Sequence, residues 1–274
     1  MEWIALAFLG LAAAIVGSVM GLGGGIIIVP ALMVLGGYTE LLSGITPQTA
    51  VGTSLLVMIF TGLSSTLAYM KQKVVDLKSG LLFFAGSGPG ALFGVWLNSG
   101  IDVASFLIAF GVFIIIVSFI LLIRHRIKPI PLRPGGIKRT FREPDGTIRE
   151  YGYEAWLGIS IAFFVGMFSG LFGIGGGSLM VPAMIILFAF PPHFAVATSM
   201  FLVFLSALVS SASHVALGNV DWVYAAALIP GAWFGGKIGA WINRRLKSDT
   251  LVLALRIVLL LIGIRLIYEG ITGL

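Results

Sequence analysis

The composition excludes a water-soluble protein. The chain has 274 residues, of which 58% are hydrophobic and 10% are charged, too little polar surface to cover a soluble fold. A formal net charge of +6 is compatible with a nucleic-acid partner, but 14 of the 17 Lys and Arg residues lie in segments 71–78, 124–149 and 244–247. Such clusters are typical of cytoplasmic loops, so we predict an all-α, polytopic membrane protein without a nucleic-acid partner.

The first half begins with a broken apolar segment. Residues 3–20 would rise about 27 Å as a helix, nearly the thickness of a bilayer core. Glycines at 21–25 interrupt this segment, and the apolar run that resumes at 26–35 has re-entrant rather than spanning length. After a polar loop at 36–47, three full spans are predicted, at 48–70, 75–97 and 102–123.

A basic segment rich in Pro and Gly, residues 124–153, is the predicted linker between transmembrane halves 1–123 and 154–274. The second half repeats the plan of the first. An apolar segment at 155–172 meets a glycine break, a shorter run follows at 178–190, and later spans include 192–217 and 250–267.

Four landmarks recur in the same order and indicate an internal duplication. The glycine motif recurs after 152 residues, and the five residues from Ala50 match those from Ala195 after 145 residues. Val-Asp at 75–76 matches 220–221 at the same offset, whereas the Pro-Gly-Ala run at 89–91 matches 230–232 after 141 residues.

Basic residues predict the orientation of the halves. The loop at 71–78, the linker 124–153 and the segment 244–247 are basic and are placed in the cytoplasm, whereas the loop at 98–102 has no basic residue and is placed outside. Counting spans from these loops, the first glycine-broken pair enters from outside and the second from the cytoplasm, with both termini outside. The sequence predicts a multi-pass plasma-membrane protein with two inverted repeats, each a re-entrant pair plus three spans.

The motif G-x-G-G-G-x-x-x-V-P occupies residues 21–30 and 173–182. Helices starting after the glycines would present unpaired N–H groups and positive dipole ends, and a two-fold axis would bring both N-termini to an anion site near the midplane. Glycine would allow close approach and positive φ angles. The alternative is that these glycines only permit tight helix crossing. The predicted binding residues are Gly23, Gly24, Gly25, Ile26, Gly175, Gly176, Gly177 and Ser178.

Polar side chains within or beside the spans are further candidates for contacting a small anion. The hydroxyl groups of Thr53, Ser54, Thr198 and Ser199 are predicted either to donate to an oxyanion or to bond neighbouring helices. Gln48 and its counterpart His193 precede these pairs, and His193 is either an anion contact or a helix cap. His214 shares a helix face with Ser210 and Ser206.

Nothing in the sequence predicts an enzyme, a cofactor or a metal site. The glycine motif has no preceding strand, a Walker A lysine is absent, and no His and carboxylate cluster has metal-ligand spacing. The chain has no cysteine, which excludes disulfides and thiolate sites. The coupling ion, the direction of transport and a homodimeric state are left open.

The paired glycine motif, the duplicated halves and the basic linker resemble the sulfite exporter TauE/SafE family, also called the sulfonate uptake permease family. The resemblance covers nearly the whole chain. It implies a secondary transporter, an exporter of small sulfur-containing anions such as sulfite or organosulfonates, embedded in the lipid bilayer. The alternatives are a permease for a non-sulfur anion such as a carboxylate, and a membrane scaffold subunit that does not transport.

Overall fold

A computed structural model of the chain describes residues 2–36, 45–123, 136–142, 148–245 and 248–272. Over these ranges the protein is all-α, as predicted, apart from one β-hairpin that was not predicted. The helices are α1 Glu2–Met20, α2 Gly25–Gly36, α3 Pro47–Lys71, α4 Leu77–Asn98, α5 Val103–Ile123, α6 Ala155–Phe172, α7 Gly177–Leu187, α8 Pro192–Ala216, α9 Trp222–Asn243 and α10 Ser248–Thr272, and the strands are β1 Ile137–Arg142 and β2 Ile148–Tyr153.

Helices of membrane-spanning length confirm the polytopic class. Within the described residues, six helices are long and apolar enough to cross a bilayer. They are Trp3–Met20, Pro47–Lys71, Leu77–Asn98, Val103–Ile120, Ala155–Phe172 and Pro192–Ala216. The set includes α1 and α6, which were predicted as the first limbs of re-entrant pairs. These limbs therefore reach spanning length before the chain breaks.

Most helix packing joins one half of the chain to the other. Helix α1 lies along α9 and α4 lies along α6, while α3 packs on α8 and α5 packs on α10. If each helix is replaced by its counterpart in the other half, the contact of α1 with α9 becomes the contact of α6 with α4. The contacts of α3 with α8 and of α5 with α10 stay the same. This correspondence indicates a two-fold relation between the halves, whereas their opposite orientation in a membrane stays a prediction.

Small residues set the register of the pairs that cross between the halves. A Cβ atom added at any of three α9 glycines or three α4 glycines would meet main-chain atoms of the facing helix, so the helices pack at backbone contact. The contacts join Gly231, Gly235 and Gly239 to Ala7, Leu11 and Ile15, and Gly86, Gly90 and Gly94 to Ile159, Phe163 and Met167.

These contacts correct one predicted alignment. The facing glycines of α4 and α9 are 145 residues apart, and so are the helix ends Asn98 and Asn243. The offset of 141, taken from the Pro-Gly-Ala runs, is therefore wrong for the folded protein. Pro89 and Pro230 lie about one helical turn apart in the two halves.

The β-hairpin occupies the end of the predicted linker and packs against the first turn of α4. Its strands are antiparallel. The buried Tyr151 donates its hydroxyl proton to Asp76 Oδ2 at 2.9 Å, and Tyr153 donates to Ser79 Oγ at 2.7 Å. Both tyrosine rings also contact Phe190. This part of the linker is thus folded against the membrane domain.

Candidate functional site

The glycine breaks have the predicted backbone geometry. Helix α1 ends at Met20 and α2 begins at Gly25, while α6 ends at Phe172 and α7 begins at Gly177, one residue earlier than predicted in both second limbs. Between them, six glycines adopt positive φ angles, which residues with a Cβ atom rarely do. These are Gly21 (76°), Gly23 (81°), Gly24 (98°), Gly173 (69°), Gly175 (63°) and Gly176 (46°).

The two breaks lie against each other in antiparallel order. A Cβ atom at Gly25 would meet the carbonyl oxygen of Gly173, and one at Gly177 would meet that of Gly21. Between these ends, Cβ atoms at Gly23 and Gly175 would both meet the Cε atom of Met58. We call residues 21–25 and 173–177 the glycine crossing. Only glycine allows main chains to approach this closely.

This order corrects the predicted meeting of the helix N-termini. The start of α2, at Gly25, lies against the carbonyl of Gly173, which directly follows α6. The start of α7, at Gly177, lies against the carbonyl of Gly21, which directly follows α1. The two N-termini are therefore at opposite ends of the glycine crossing. Each positive helix end therefore neighbours a carbonyl oxygen. The two helix dipoles do not converge on a shared site for an anion.

The glycine crossing presents main-chain N–H groups that have no acceptor among the described residues. The N–H groups of Gly24, Gly25 and Ile26 make no hydrogen bond to another described residue, and neither do those of Ile174, Gly175 and Gly176. All six residues are buried. Buried N–H groups without an acceptor are rare in folded proteins. Six of them, three from each half, therefore lie at or beside the glycine crossing without an acceptor among the described residues. Such donors are suited to the acceptor atoms of a ligand.

The hydroxyls of Ser54 and Ser199 hold the carbonyl groups of the crossing. Ser54 Oγ donates to Gly173 O at 3.2 Å, and its counterpart Ser199 Oγ donates to Gly21 O at 2.7 Å. Each serine belongs to the half opposite to the carbonyl that it binds. Both hydroxyl protons are used within the protein, so these residues position the crossing in this structure.

The neighbouring threonines bind elsewhere. Thr53 Oγ1 accepts a hydrogen bond from the N–H of Asp221 at 3.0 Å, and Thr198 Oγ1 accepts one from the N–H of Asp76 at 3.0 Å. Each bond again joins the two halves, at the start of α9 or α4. These contacts match the predicted alternative of bonds between neighbouring helices.

Gln48 and His193 lie at helix ends and bind residues there rather than at the crossing. Gln48 Nε2 donates to the carbonyl oxygens of Asn98 and Ile101 at 3.0 and 2.9 Å. His193 Nδ1 lies 2.9 Å from Asn243 Oδ1. Of the other predicted residues, Ser178 has its side chain outside the described part of the structure, whereas the glycines and Ile26 come together as described above.

Two apolar residues at the centre of the crossing were missed by sequence reasoning. Met58 and Val203 are fully buried, and both contact Gly23 and Gly175. They occupy equivalent positions, 145 residues apart, near the middle of the 25-residue helices α3 and α8. The signal in the sequence is their shared spacing of four residues after Ser54 and Ser199. Their side chains cover the centre of the glycine crossing in this conformation.

A separate groove between α5, α6 and α7 is not suited to an anion. It encloses about 260 Å³ and is lined by apolar side chains: Ile120, Ile161, Phe164, Val165, Leu179, Pro182, Ala183, Ile186 and Leu187. Such a lining offers no hydrogen-bond donor. Within the described residues, no group of three or more His, Asp or Glu side chains is placed to hold a metal ion.

Comparisons with known proteins find membrane transporters among the relatives of this chain. The Probable membrane transporter protein YunE of Bacillus subtilis (strain 168) is 57% identical over 271 residues, 99% of each chain. The Probable membrane transporter protein YjnA of the same strain is 26% identical, over 96% of this chain and 99% of its own. A Probable membrane transporter protein of Xylella fastidiosa (strain Temecula1) is 26% identical, over 86% of this chain and 84% of its own.

No solved structure matches the chain. One family does, over residues 6–266, and its description is Sulfite exporter TauE/SafE. That match spans both glycine motifs, the linker and the duplicated helices. The chain therefore belongs to the sulfite exporter TauE/SafE family of membrane transporters.

Proposed function

We propose that this protein is a secondary transporter that exports a small sulfur-containing anion, such as sulfite or an organosulfonate, and binds it at the glycine crossing. The observation that carries the proposal is the set of six buried residues, 24–26 and 174–176, whose N–H groups have no acceptor among the described residues. Sulfite and sulfonate groups present three oxygen atoms that accept hydrogen bonds. Main-chain donors held in positive-φ loops are a recurrent way to bind such anions.

The absence of charge at the crossing suits transport. Residues 21–26 and 173–177 include no ionisable side chain. A transporter must bind its substrate well enough to admit it and weakly enough to release it. Neutral N–H donors from both halves meet that requirement, because they stabilise an anion without pairing it to a buried cation.

Met58 and Val203 form the proposed apolar gate. They lie against Gly23 and Gly175 from opposite halves, so an anion reaches the N–H groups only after these side chains move. A methionine side chain is flexible and adapts to such changes. In the proposed cycle, one half rocks against the other about the two-fold axis, and the gate opens toward one side of the membrane at a time.

The orientation of the halves completes the proposal. The clusters of basic residues favour a cytoplasmic linker and inverted repeats with both termini outside. The matched contacts of the two halves support a two-fold relation, since α1 with α9 and α4 with α6 form the same kind of pair. Alternating access by inverted repeats needs such a relation.

Competition in proteoliposomes tests the substrate class. Purified protein is reconstituted, and efflux of radiolabelled sulfite is measured against unlabelled sulfite, sulfoacetate and a dicarboxylate. We expect sulfite and sulfoacetate to compete and the dicarboxylate to have little effect. Stronger competition by the dicarboxylate would reassign the protein to non-sulfur anions. If labelled sulfite does not move and none of the three anions raises the melting temperature in detergent, the protein is not a transporter of these anions.

A further inference from the structure

A line of polar residues leads along α8 away from the glycine crossing. Beyond Val203, the same face carries Ser206, Ser210 and His214, all fully buried. Ser206 Oγ lies 3.0 Å from Ser87 Oγ of α4, and a Cβ atom at Gly176 would lie 4.0 Å from Ser206 Oγ. The line therefore starts beside the crossing and ends in the last turn of α8.

The equivalent line on α3 forms a closed network. Ser65 and Tyr69 are the counterparts of Ser210 and His214, 145 residues earlier. Ser65 Oγ donates to Ser18 Oγ at 2.8 Å, and the Tyr69 hydroxyl donates to Ser18 O at 2.9 Å. Ser18 Oγ in turn donates to Gly236 O at 2.9 Å. Every hydroxyl group of this network has a partner within the protein.

The line on α8 lacks these partners. Ser210 Oγ and both ring nitrogens of His214 are buried and make no hydrogen bond to a described residue. The main chain of Gly170 lies beside the imidazole, outside hydrogen-bond geometry. On the same helix as Gly170, the buried Ser169 hydroxyl is also without a partner.

The difference between the lines has a local cause. The position equivalent to Ser18, 152 residues later, is Gly170, which has no hydroxyl group. A Cβ atom at Gly170 would meet the carbonyl oxygen of Ala91, so a serine does not fit there. The close packing of α6 on α4 thus leaves Ser210 and His214 without the partner that Ser65 and Tyr69 have. Leaving buried polar groups unpaired is costly, and polar groups inside membrane helices are commonly functional.

We propose that Ser210 and His214 form a second binding position for the oxyanion, between the glycine crossing and the end of α8. This proposal rests on the proposed function, because it extends the path of the same anion. The Ser210 hydroxyl and one imidazole N–H donate to anion oxygens, which supplies the partners that the fold does not. The Ser206 and Ser87 hydroxyls lie between this position and the crossing, so an anion moves between the two over a polar surface.

Sulfite binding to purified variants tests the second position. The melting temperature in detergent and the calorimetric binding curve for sulfite are measured for the wild type, Ser210→Ala and His214→Gln, with Ser65→Ala as the matched control. Ser210→Ala removes only an unpaired hydroxyl, so its melting temperature without sulfite should equal or exceed that of the wild type. The wild type should bind sulfite at two positions, and both α8 variants should raise the dissociation constant of one of them about ten- to a hundredfold, because each removes a hydrogen bond to a charged ligand. Ser65→Ala should lower the melting temperature and leave both dissociation constants unchanged.

The outcomes separate this proposal from the proposed function. Wild-type affinity in both Ser210→Ala and His214→Gln, with sulfite still bound by the wild type, overturns the second position and leaves the glycine crossing as the binding site. A loss of stability in Ser210→Ala without a loss of sulfite affinity also overturns the second position, because the hydroxyl would then stabilise the fold rather than bind the anion. No sulfite binding by the wild type overturns both.

Discussion

Substituting Gly25 by alanine perturbs the glycine crossing at one of its main-chain contacts. The added Cβ atom would meet Gly173 O and lie 2.7 Å from Met58 Sδ, and the φ angle of Gly25 is not in the positive range. The cost therefore comes from overpacking alone. Restoring ordinary contact requires the two segments to separate by on the order of 1 Å, and overpacking of this kind costs about 1–3 kcal/mol.

Alanine substitutions at two other glycines separate the cost of a positive φ angle from the cost of overpacking. A Cβ atom at Gly218 would have no atom within 4 Å, but its φ of +73° makes alanine cost about 1–2 kcal/mol. At Gly100 the space is also open and φ is not in the positive range, so alanine should be neutral.

Thermal unfolding in detergent, followed by fluorescence of the six tryptophans, gives the stability of each variant, and sulfite efflux from proteoliposomes gives its function. We expect Gly25→Ala, and equally its counterpart Gly177→Ala, to lose efflux. Gly218→Ala should lose stability and keep efflux. Normal efflux in both crossing variants would refute the reasoning.

Three further predictions concern hydrogen bonds, the hairpin and orientation. Ser54→Ala and Ser199→Ala should each lower the free energy of unfolding by about 0.6–1.7 kcal/mol, as measured by denaturation in mixed micelles, and the absence of any loss would mean that these hydroxyls do not hold the crossing. Burial and then the Asp76 carboxylate raise the pKa of Tyr151, so its bond to Asp76 should persist up to about pH 10 and weaken as the pH rises further. Trypsin cleavage at Arg139 should therefore increase above that pH in the wild type, whereas Tyr151→Phe should show increased cleavage already at neutral pH. Single cysteines at Lys73 and at its counterpart Gly218, both exposed, should react with a membrane-impermeant maleimide from opposite sides of the membrane, and labelling from one side would rule out inverted repeats.

The local features of the breaks could be predicted from the sequence. Glycines at 21–25 and 173–177 end one helix and begin the next within a residue of the predicted positions, because positive φ angles are a property of the glycines themselves. Asp76 caps α4 by accepting from Ser79 N, and aspartate is a preferred capping residue.

Features that depend on packing between the halves could not be predicted. Thr53 and Ser54 are adjacent and similar, yet they bind Asp221 and Gly173 because successive side chains on a helix point about 100° apart. The antiparallel order of the breaks and the position of Met58 depend on how α3 packs on α8. The Pro-Gly-Ala match was misleading because a short run of identical residues does not determine how the counterpart helices α4 and α9 align with each other in the fold.

The anomalous scattering of bound selenite, a heavier analogue of sulfite, tests the central claim most directly. Crystals of the protein grown with selenite should show an anomalous selenium peak roughly 4 Å from main-chain nitrogen atoms of residues 24–26 and 174–176, because a hydrogen bond places the selenite oxygens about 3 Å from these donors, with Met58 displaced from the crossing. Selenite bound by the protein with no peak near these nitrogen atoms, and with Met58 still covering them, would contradict the account.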